Sequence, residues 1–310
     1  MAAMLAPQDD LRHELPDSEF ARESLFYVVP LVEQRMLIEG YVTMRGDRVA
    51  SRALMVWGDP DRDGYAPLAA DLAEAPMEGR DLHDFAVAGM RVRQPELLRC
   101  VEVSFRNGDR AWDMGFRATH DAFDYESNAA GCPKMVADNR YEQAGIADGS
   151  LVVDGRQIAY AGVLAHRDHA WGTRDWQAAH HWKMFTGQAV DGTAFNLFEC
   201  LAHGRVFHNG FLFRDGVQSP LASCRQVGLA YDNQWLQESC ALEIIDEAGR
   251  TACVTGERFA GGFIDWGGIV LAESAFSVEV DGNTGISYVE AGWPAGYLEH
   301  LRAGSWSGLG

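Results

Sequence analysis

Apolar and polar residues alternate along much of the chain with a period of two, which is typical of β-strands. In the segment 97–106, for example, Val101, Val103 and Phe105 share one face and Glu102 lies on the other. Similar alternation predicts further strands over 112–117, 157–164, 180–186, 194–202, 205–214, 224–231, 240–246, 252–259 and 269–280.

Turn dipeptides separate many of these segments. Gly, Asn and Asp reach positive φ at low cost, as two-residue hairpin turns require. The pattern therefore predicts hairpins at Asn107-Gly108, Asp154-Gly155, Asp191-Gly192, Asp215-Gly216 and Asp281-Gly282.

Helical signals are few. Short helices are predicted over Pro67–Ala75, near Asp17–Leu25 and over Pro294–Arg302, each with Pro or Asp near its start. Strands joined by tight turns, without regularly intervening helices, favour an antiparallel all-β architecture over a Rossmann-type fold.

A boundary is expected between residues 121 and 149, where Gly131-Cys132-Pro133 and a polar stretch interrupt the alternation. We place it so that residues 1–135 form an N-terminal β domain and residues 136–310 a C-terminal one. No sequence repeat relates the halves.

The composition excludes several classes of protein. The 310 residues carry 45 Asp and Glu against 26 Lys and Arg, giving a formal net charge of -19 without a long basic run, so nucleic acid is not an expected partner. Apolar stretches are too short to span a membrane, and the first twenty residues do not read as a signal peptide, which predicts a cytoplasmic protein. The six cysteines show no CxxC pair and are interpreted as small core residues.

The densest group of reactive residue types is the segment 166–176, HRDHAWGTRDW, followed by His180 and His181. On a strand, His166 and Asp168 would point to one face and His169 to the other. The segment could place an imidazole and a carboxylate beside one cavity, or it could form an ion-paired hairpin with a purely structural role. A metal site is disfavoured, because neither an HExxH helix nor a Cys/His zinc spacing is present.

Large aromatic residues are unusually frequent in the second half. Each fits a strand core, but together they suggest a dry cavity that would suit a long apolar ligand and stabilise a positive charge. The candidate substrate-binding residues are Trp112, Tyr141, Trp171, Trp176, Trp182, Phe185, Phe198, Phe211, Phe213, Trp235 and Trp266.

Tyr141-Glu142-Gln143, the segment 162–166 and above all HRDHAWGTRDW resemble the second-domain signature of the carotenoid 1,2-hydratase (hydroxyneurosporene synthase) superfamily, which includes lipocalin-like noncanonical terpenoid cyclases. The resemblance implies tandem lipocalin-like, calycin-type antiparallel β-barrels with a ligand cavity near their junction. In the hydratases an aspartate of a Tyr-x-Asp element is thought to be catalytic. Here His166-Arg167-Asp168 occupies that place, and Arg174-Asp175-Trp176 partly matches a later Trp-Asp-Trp.

The resemblance implies an enzyme that protonates an isolated alkene of a prenyl-type substrate. Hydration or cyclisation would follow, without a cofactor. Such a donor must stay protonated through burial or a neighbouring carboxylate. The roles expected are Asp168 as acid, Asp175 as neighbouring charge, and His166 or His169 as hydrogen-bond partner. Asp113 and Asp121 are alternative acids. A non-catalytic carrier of an apolar ligand is the competing hypothesis.

Overall fold

The computed structural model of the chain describes residues 5–46, 49–79 and 81–304, with the side chains of residues 226 and 227 left out. These residues form two antiparallel sheets, which confirms the all-β prediction. No helix among them is long and apolar enough to cross a membrane.

The first sheet has the strand order β4-β3-β2-β1-β11-β10-β8-β7-β6-β5, with the short β9 paired to β10. Its edges approach each other, since Glu78 exchanges backbone hydrogen bonds of 2.8 and 2.9 Å with Ala86 in β5. The strands are β1 (Ala21–Leu31), β2 (Met36–Met44), β3 (Val49–Trp57), β4 (Ala69–Pro76), β5 (Asp84–Val87), β6 (Met90–Glu96), β7 (Cys100–Asn107), β8 (Arg110–Ala118), β9 (Phe123–Asp124), β10 (Asn139–Val153) and β11 (Arg156–Thr173).

The second sheet is a closed barrel in which each strand pairs with the next and the last pairs with the first. A helix, α2 (Ala295–Ala303), follows it, and a single turn of helix, α1 (Pro60–Asp63), lies after β3. The barrel strands are β12 (Ala179–Ala189), β13 (Ala194–Ala202), β14 (Arg205–Arg214), β15 (Val217–Tyr231), β16 (Gln237–Asp246), β17 (Thr251–Asp265), β18 (Ile269–Val280) and β19 (Asn283–Pro294).

All five turn dipeptides lie in hairpins, as predicted. In three of them both turn residues have positive φ, for example Asp154 at 49° and Gly155 at 70°. Both central residues of a type I′ turn need this conformation, which is why the sequence signal was reliable.

Two of the three predicted helices are wrong. Pro67–Ala75 lies largely in β4, and the end of Asp17–Leu25 lies in β1, because each segment pairs with a neighbouring strand and tertiary pairing overrides local propensity. The third helix is confirmed as α2.

The division between the sheets also differs from the predicted boundary. Strands β10 and β11, which the boundary at residue 135 assigned to the second half, pair with β8 and β1 of the first sheet. The interruption around Gly131 is a loop within that sheet, and the sheets separate between Thr173 and Ala179. All six cysteines are free, but Cys253 is exposed and so is not a core residue.

Strand β11 is a central strand of the first sheet, between β1 and β10. In this register Asp168 is paired with Phe26 on one side and with Glu142 on the other. Paired residues of adjacent strands point to the same face, so the fold brings these three side chains together.

Candidate active site between the two sheets

The cavity lies between one face of the first sheet and the outer face of the barrel. About 880 Å³ of space free of protein atoms, part of it open to solvent, is lined by residues of both sheets. Alternation explains the contribution of the barrel, because Phe185 and Val289 point into its core while their neighbours Met184 and Glu290 point outwards. The aromatic residues of the lining are Phe26, Tyr41, Trp176, Trp182, Phe198 and Trp266.

Asp168 is the carboxyl group that β11 contributes to this cavity. The residue is 5% exposed, and its Oδ2 accepts a hydrogen bond of 2.7 Å from Nη2 of Arg140. Burial raises the pKa of Asp168 to about 7, and the carboxylates of Glu142 and Glu290 act in the same direction. Arg140 and Arg174 act against this rise, so the group exchanges its proton near neutrality.

Arg140 connects Asp168 to a second carboxylate. Its Nε donates a hydrogen bond of 2.5 Å to Oε1 of Glu142, and the other oxygen of Glu142 lies 2.5 Å from Nε2 of His166. Burial alone would raise the pKa of Glu142, but Arg140 and His166 lower it overall. Glu142 is therefore the ionised counter-charge of Arg140.

Glu273 and Glu290 enter the cavity from the barrel and are directly opposite each other in the register of β18 and β19. Tyr288 donates a hydrogen bond to Glu273 and lies 3.2 Å from Oε2 of Glu290, whose Oε1 accepts a bond of 2.5 Å from Trp182. Burial raises the pKa of both carboxyl groups. Two opposed carboxylates repel each other, so each of these groups holds its proton more readily than an isolated glutamic acid does.

Glu39, on β2, is a further buried acid of the lining. It is 4% exposed, and within the described part of the chain its Oε1 has no hydrogen-bond partner. Burial raises the pKa of Glu39 to about 8, Glu290 adds to the rise, and Trp57 opposes it. With a pKa of about 8, the protonated form of this side chain predominates at neutral pH.

Residues 6–295 match the family model described as Domain of unknown function (DUF7064). The chain belongs to this family. No curated protein sequence matches the chain.

Solved structures share this DUF7064 fold at low sequence identity. A putative AttH from Nitrosomonas europaea is 13% identical with a TM-score of 0.68, over 94% of this chain and 97% of the other. Kievitone hydratase from Nectria haematococca is 10% identical with a TM-score of 0.59, over 90% of both chains. CghA, solved with Sch210972, is 12% identical with a TM-score of 0.61, over 88% of both chains. The resemblance that the motif indicated is thus confirmed at the level of the fold.

The other predicted acids lie outside the DUF7064 cavity. Asp113 is half-buried on the face of β8 opposite to the buried Trp112 and Met114, and it pairs with Arg106. Asp121 is exposed in the segment after β8 and pairs with Arg99. Asp175 caps a short 3-10 helix, with a hydrogen bond of 3.1 Å from the backbone of Gln177, and it is not part of the cavity lining, so it is not the charge that neighbours Asp168. That role falls to Glu142 and Glu290.

His166 lies on the Asp168 face as predicted, but its ring contacts Glu142 and Thr186 rather than Asp168. His169 lies on the opposite face, where its Nε2 is 2.8 Å from Oε1 of Glu23, so it is not a partner of the acid.

Tyr141 and Trp171 share that opposite face with His169. Tyr141 donates a hydrogen bond to Asp10, and Trp171 stacks on His13 with centroids 3.8 Å apart. On that face, one ligand atom each from His13, Glu23 and His169 lie within 4.8 Å of one another and could hold a transition-metal ion.

Some of the predicted substrate-binding aromatic residues line the cavity, and the others do not. Trp176, Trp182, Phe198 and Trp266 line the cavity. The others pack elsewhere: Trp112 in the core of the first sheet, Phe185 in the barrel, Phe211 and Phe213 around His120, and Trp235 beside Tyr231. Trp112 and Phe185 point into the cores of the two sheets, whereas Phe211 and Phe213 pack between the sheets but outside the cavity lining.

Sequence reasoning missed Glu39, Arg140, Arg174, Glu273 and Glu290. A signal existed for Glu273, since it is a single acid within the apolar run 269–276. A charged residue in a buried strand needs a functional or structural reason. The other four residues reach the cavity only through the pairing and packing of strands, which no local sequence pattern shows.

Proposed function

We propose that the protein is an acid-initiated cyclase or hydratase that protonates an isolated alkene of a prenyl-type substrate. The observation that carries this proposal is Asp168, a buried carboxyl group of raised pKa that faces an aromatic-lined cavity. The shared fold with kievitone hydratase supports it in addition.

A carboxylic acid that protonates carbon must be neutral before the step and stabilised as an anion after it. Burial keeps Asp168 neutral, and Arg140 at 2.7 Å stabilises the carboxylate that forms. Glu39 and Glu273 have raised pKa values as well, but no cation contacts either of them within the described residues. Asp168 is therefore the better donor.

In the proposed reaction, the proton of Asp168 forms a C–H bond with one alkene carbon, and the π electrons leave a tertiary cation on the other. The faces of Trp176, Trp182 and Trp266 stabilise this cation by cation–π attraction. Water adds to the cation and releases a proton, or a second alkene closes a ring and a proton is lost from carbon. In both cases the released proton restores Asp168.

Incubation with farnesol, farnesoic acid and geranylgeraniol in deuterated water tests the proposal. We expect at least one of these compounds to gain a deuteron bound to carbon, together with a hydroxyl group or a ring, because the donor exchanges with solvent. Mass spectrometry and NMR of the extracted products measure this. Tight binding of all probes with every one recovered unchanged would instead establish a carrier.

A further inference from the structure

Arg174 is a buried cation that has no ionic partner among the described residues. It is 3% exposed and lines the cavity. Its guanidinium donates hydrogen bonds to the backbone oxygen of Val136 at 2.9 Å, to Tyr41 Oη at 3.1 Å and to Ser24 Oγ at 3.0 Å, all of them neutral acceptors. Among the described residues no carboxylate lies within ion-pair distance of it. Arg stays charged in proteins, and a buried charge is costly unless it is paired.

The proposed reaction requires a protonated Asp168, and this protonation leaves the positive charge of Arg174 with less compensation. Arg140 is already matched by the ionised Glu142. An ionised Asp168 would offset the charge of Arg174 through space, but a protonated Asp168 cannot. When Asp168 is protonated, Arg174 is therefore a positive charge of the cavity lining with no carboxylate at ion-pair distance among the described residues.

The surroundings of Arg174 combine this charge with an apolar surface. Its guanidinium lies 5.5 Å from the ring centroid of Trp176, and that of Arg22 lies 5.9 Å from the same ring. Asp175 is the nearby acid, and among the described residues its carboxylate accepts a hydrogen bond from the backbone of Gln177 but forms no ion pair with Arg174. A ligand that approached along Trp176 would meet a positive potential.

We propose that Arg174 binds an anionic head group of the substrate, namely a carboxylate, while the apolar tail extends along the aromatic lining towards Asp168. The inference rests on the proposed function for the identity of the tail. Arg22 is not part of the cavity lining, so the unpaired positive charge that the lining offers is that of Arg174. One positive charge matches a carboxylate better than a doubly charged phosphate, and the planar fork of Arg174 suits carboxylate geometry.

Calorimetric binding of farnesoic acid, farnesol and farnesyl phosphate to the whole chain tests the head group. We expect the wild type to bind the acid at least about tenfold more tightly than the alcohol, and the phosphate more weakly than the acid. Arg174→Met should remove the preference while alcohol binding changes by less than about twofold. Arg174→Lys keeps the charge and should retain part of the preference for the acid over the alcohol. It serves as the second variant where Arg174→Met does not fold. Arg99→Gln, at an exposed pair, is the matched control.

A second readout is the proton taken up on binding, from titrations in two buffers of different ionisation enthalpy. The charged groups that act on Asp168 are Arg140 and Glu142 on β10, Arg174 after β11, and Glu290 on β19. An anion that neutralises Arg174 removes a charge favouring ionised Asp168, so binding at about pH 8 should draw in a proton. We expect uptake with farnesoic acid, none with farnesol, and none in Asp168→Asn.

The outcomes separate the two proposals. Equal affinity for acid and alcohol, or a preference that survives in Arg174→Met, would overturn the anion subsite and leave alkene protonation standing. Tighter binding of the phosphate would overturn the carboxylate assignment. No binding of any probe would overturn both proposals.

Discussion

Asp168→Asn is expected to lower turnover of any prenyl compound that the wild type converts by at least about 10³-fold, because an amide cannot donate a proton to carbon. Steady-state kinetics and deuterium incorporation measure the loss. The side chains have the same shape, and Arg140 keeps its bond to Glu142, so near-UV circular dichroism and the melting temperature should change little.

Asp121→Asn is the matched control, since it removes a carboxylate that is also bonded to an arginine but is 73% exposed. Its turnover should stay within about twofold of the wild type, because exposed ion pairs contribute little. Turnover above a tenth of the wild-type rate in Asp168→Asn would contradict the assignment of this residue as the acid.

Glu39→Gln is expected to stabilise the protein at alkaline pH. The folded-state pKa of Glu39 is about 8, against an ordinary value of 4.5. Between these values the unfolded chain is ionised while the folded protein holds the proton, so wild-type stability falls as pH rises. Gln carries no such proton. The stability gain of the variant should therefore grow from near zero at about pH 4.5 to roughly 3–5 kcal/mol above pH 8.

Urea unfolding at a series of pH values measures this difference. Glu102→Gln, at an exposed glutamate paired with Arg93, is the control and should differ from the wild type by less than about 1 kcal/mol throughout. A stability gain for Glu39→Gln that does not change between pH 5 and pH 9 would show that Glu39 ionises normally in the folded protein.

Local signals in the sequence predicted most of the fold. Pairs such as Asp215-Gly216 identify hairpins because their positive φ is a property of two adjacent residues. The helices expected at Pro67–Ala75 and Asp17–Leu25 were wrong because pairing with β3 and β2 decides those segments, and such contacts are not local.

The candidate site was only partly predictable for the same reason. Alternation along β11 correctly separated Asp168 from His169, because side chains of one strand alternate between faces. The groups that control Asp168, namely Arg140, Glu142 and Glu290, reach it through sheet register and through the packing of the barrel against the first sheet. No pattern within one segment encodes that packing.

The proposed reaction requires that Asp168 holds a proton near neutral pH. The infrared difference spectrum between the wild type and Asp168→Asn, recorded across a pH titration, isolates the C=O stretch of this one protonated carboxyl group. We expect a band that disappears with a midpoint near pH 7. A midpoint below about pH 5, in the range of an ordinary aspartate, would contradict it.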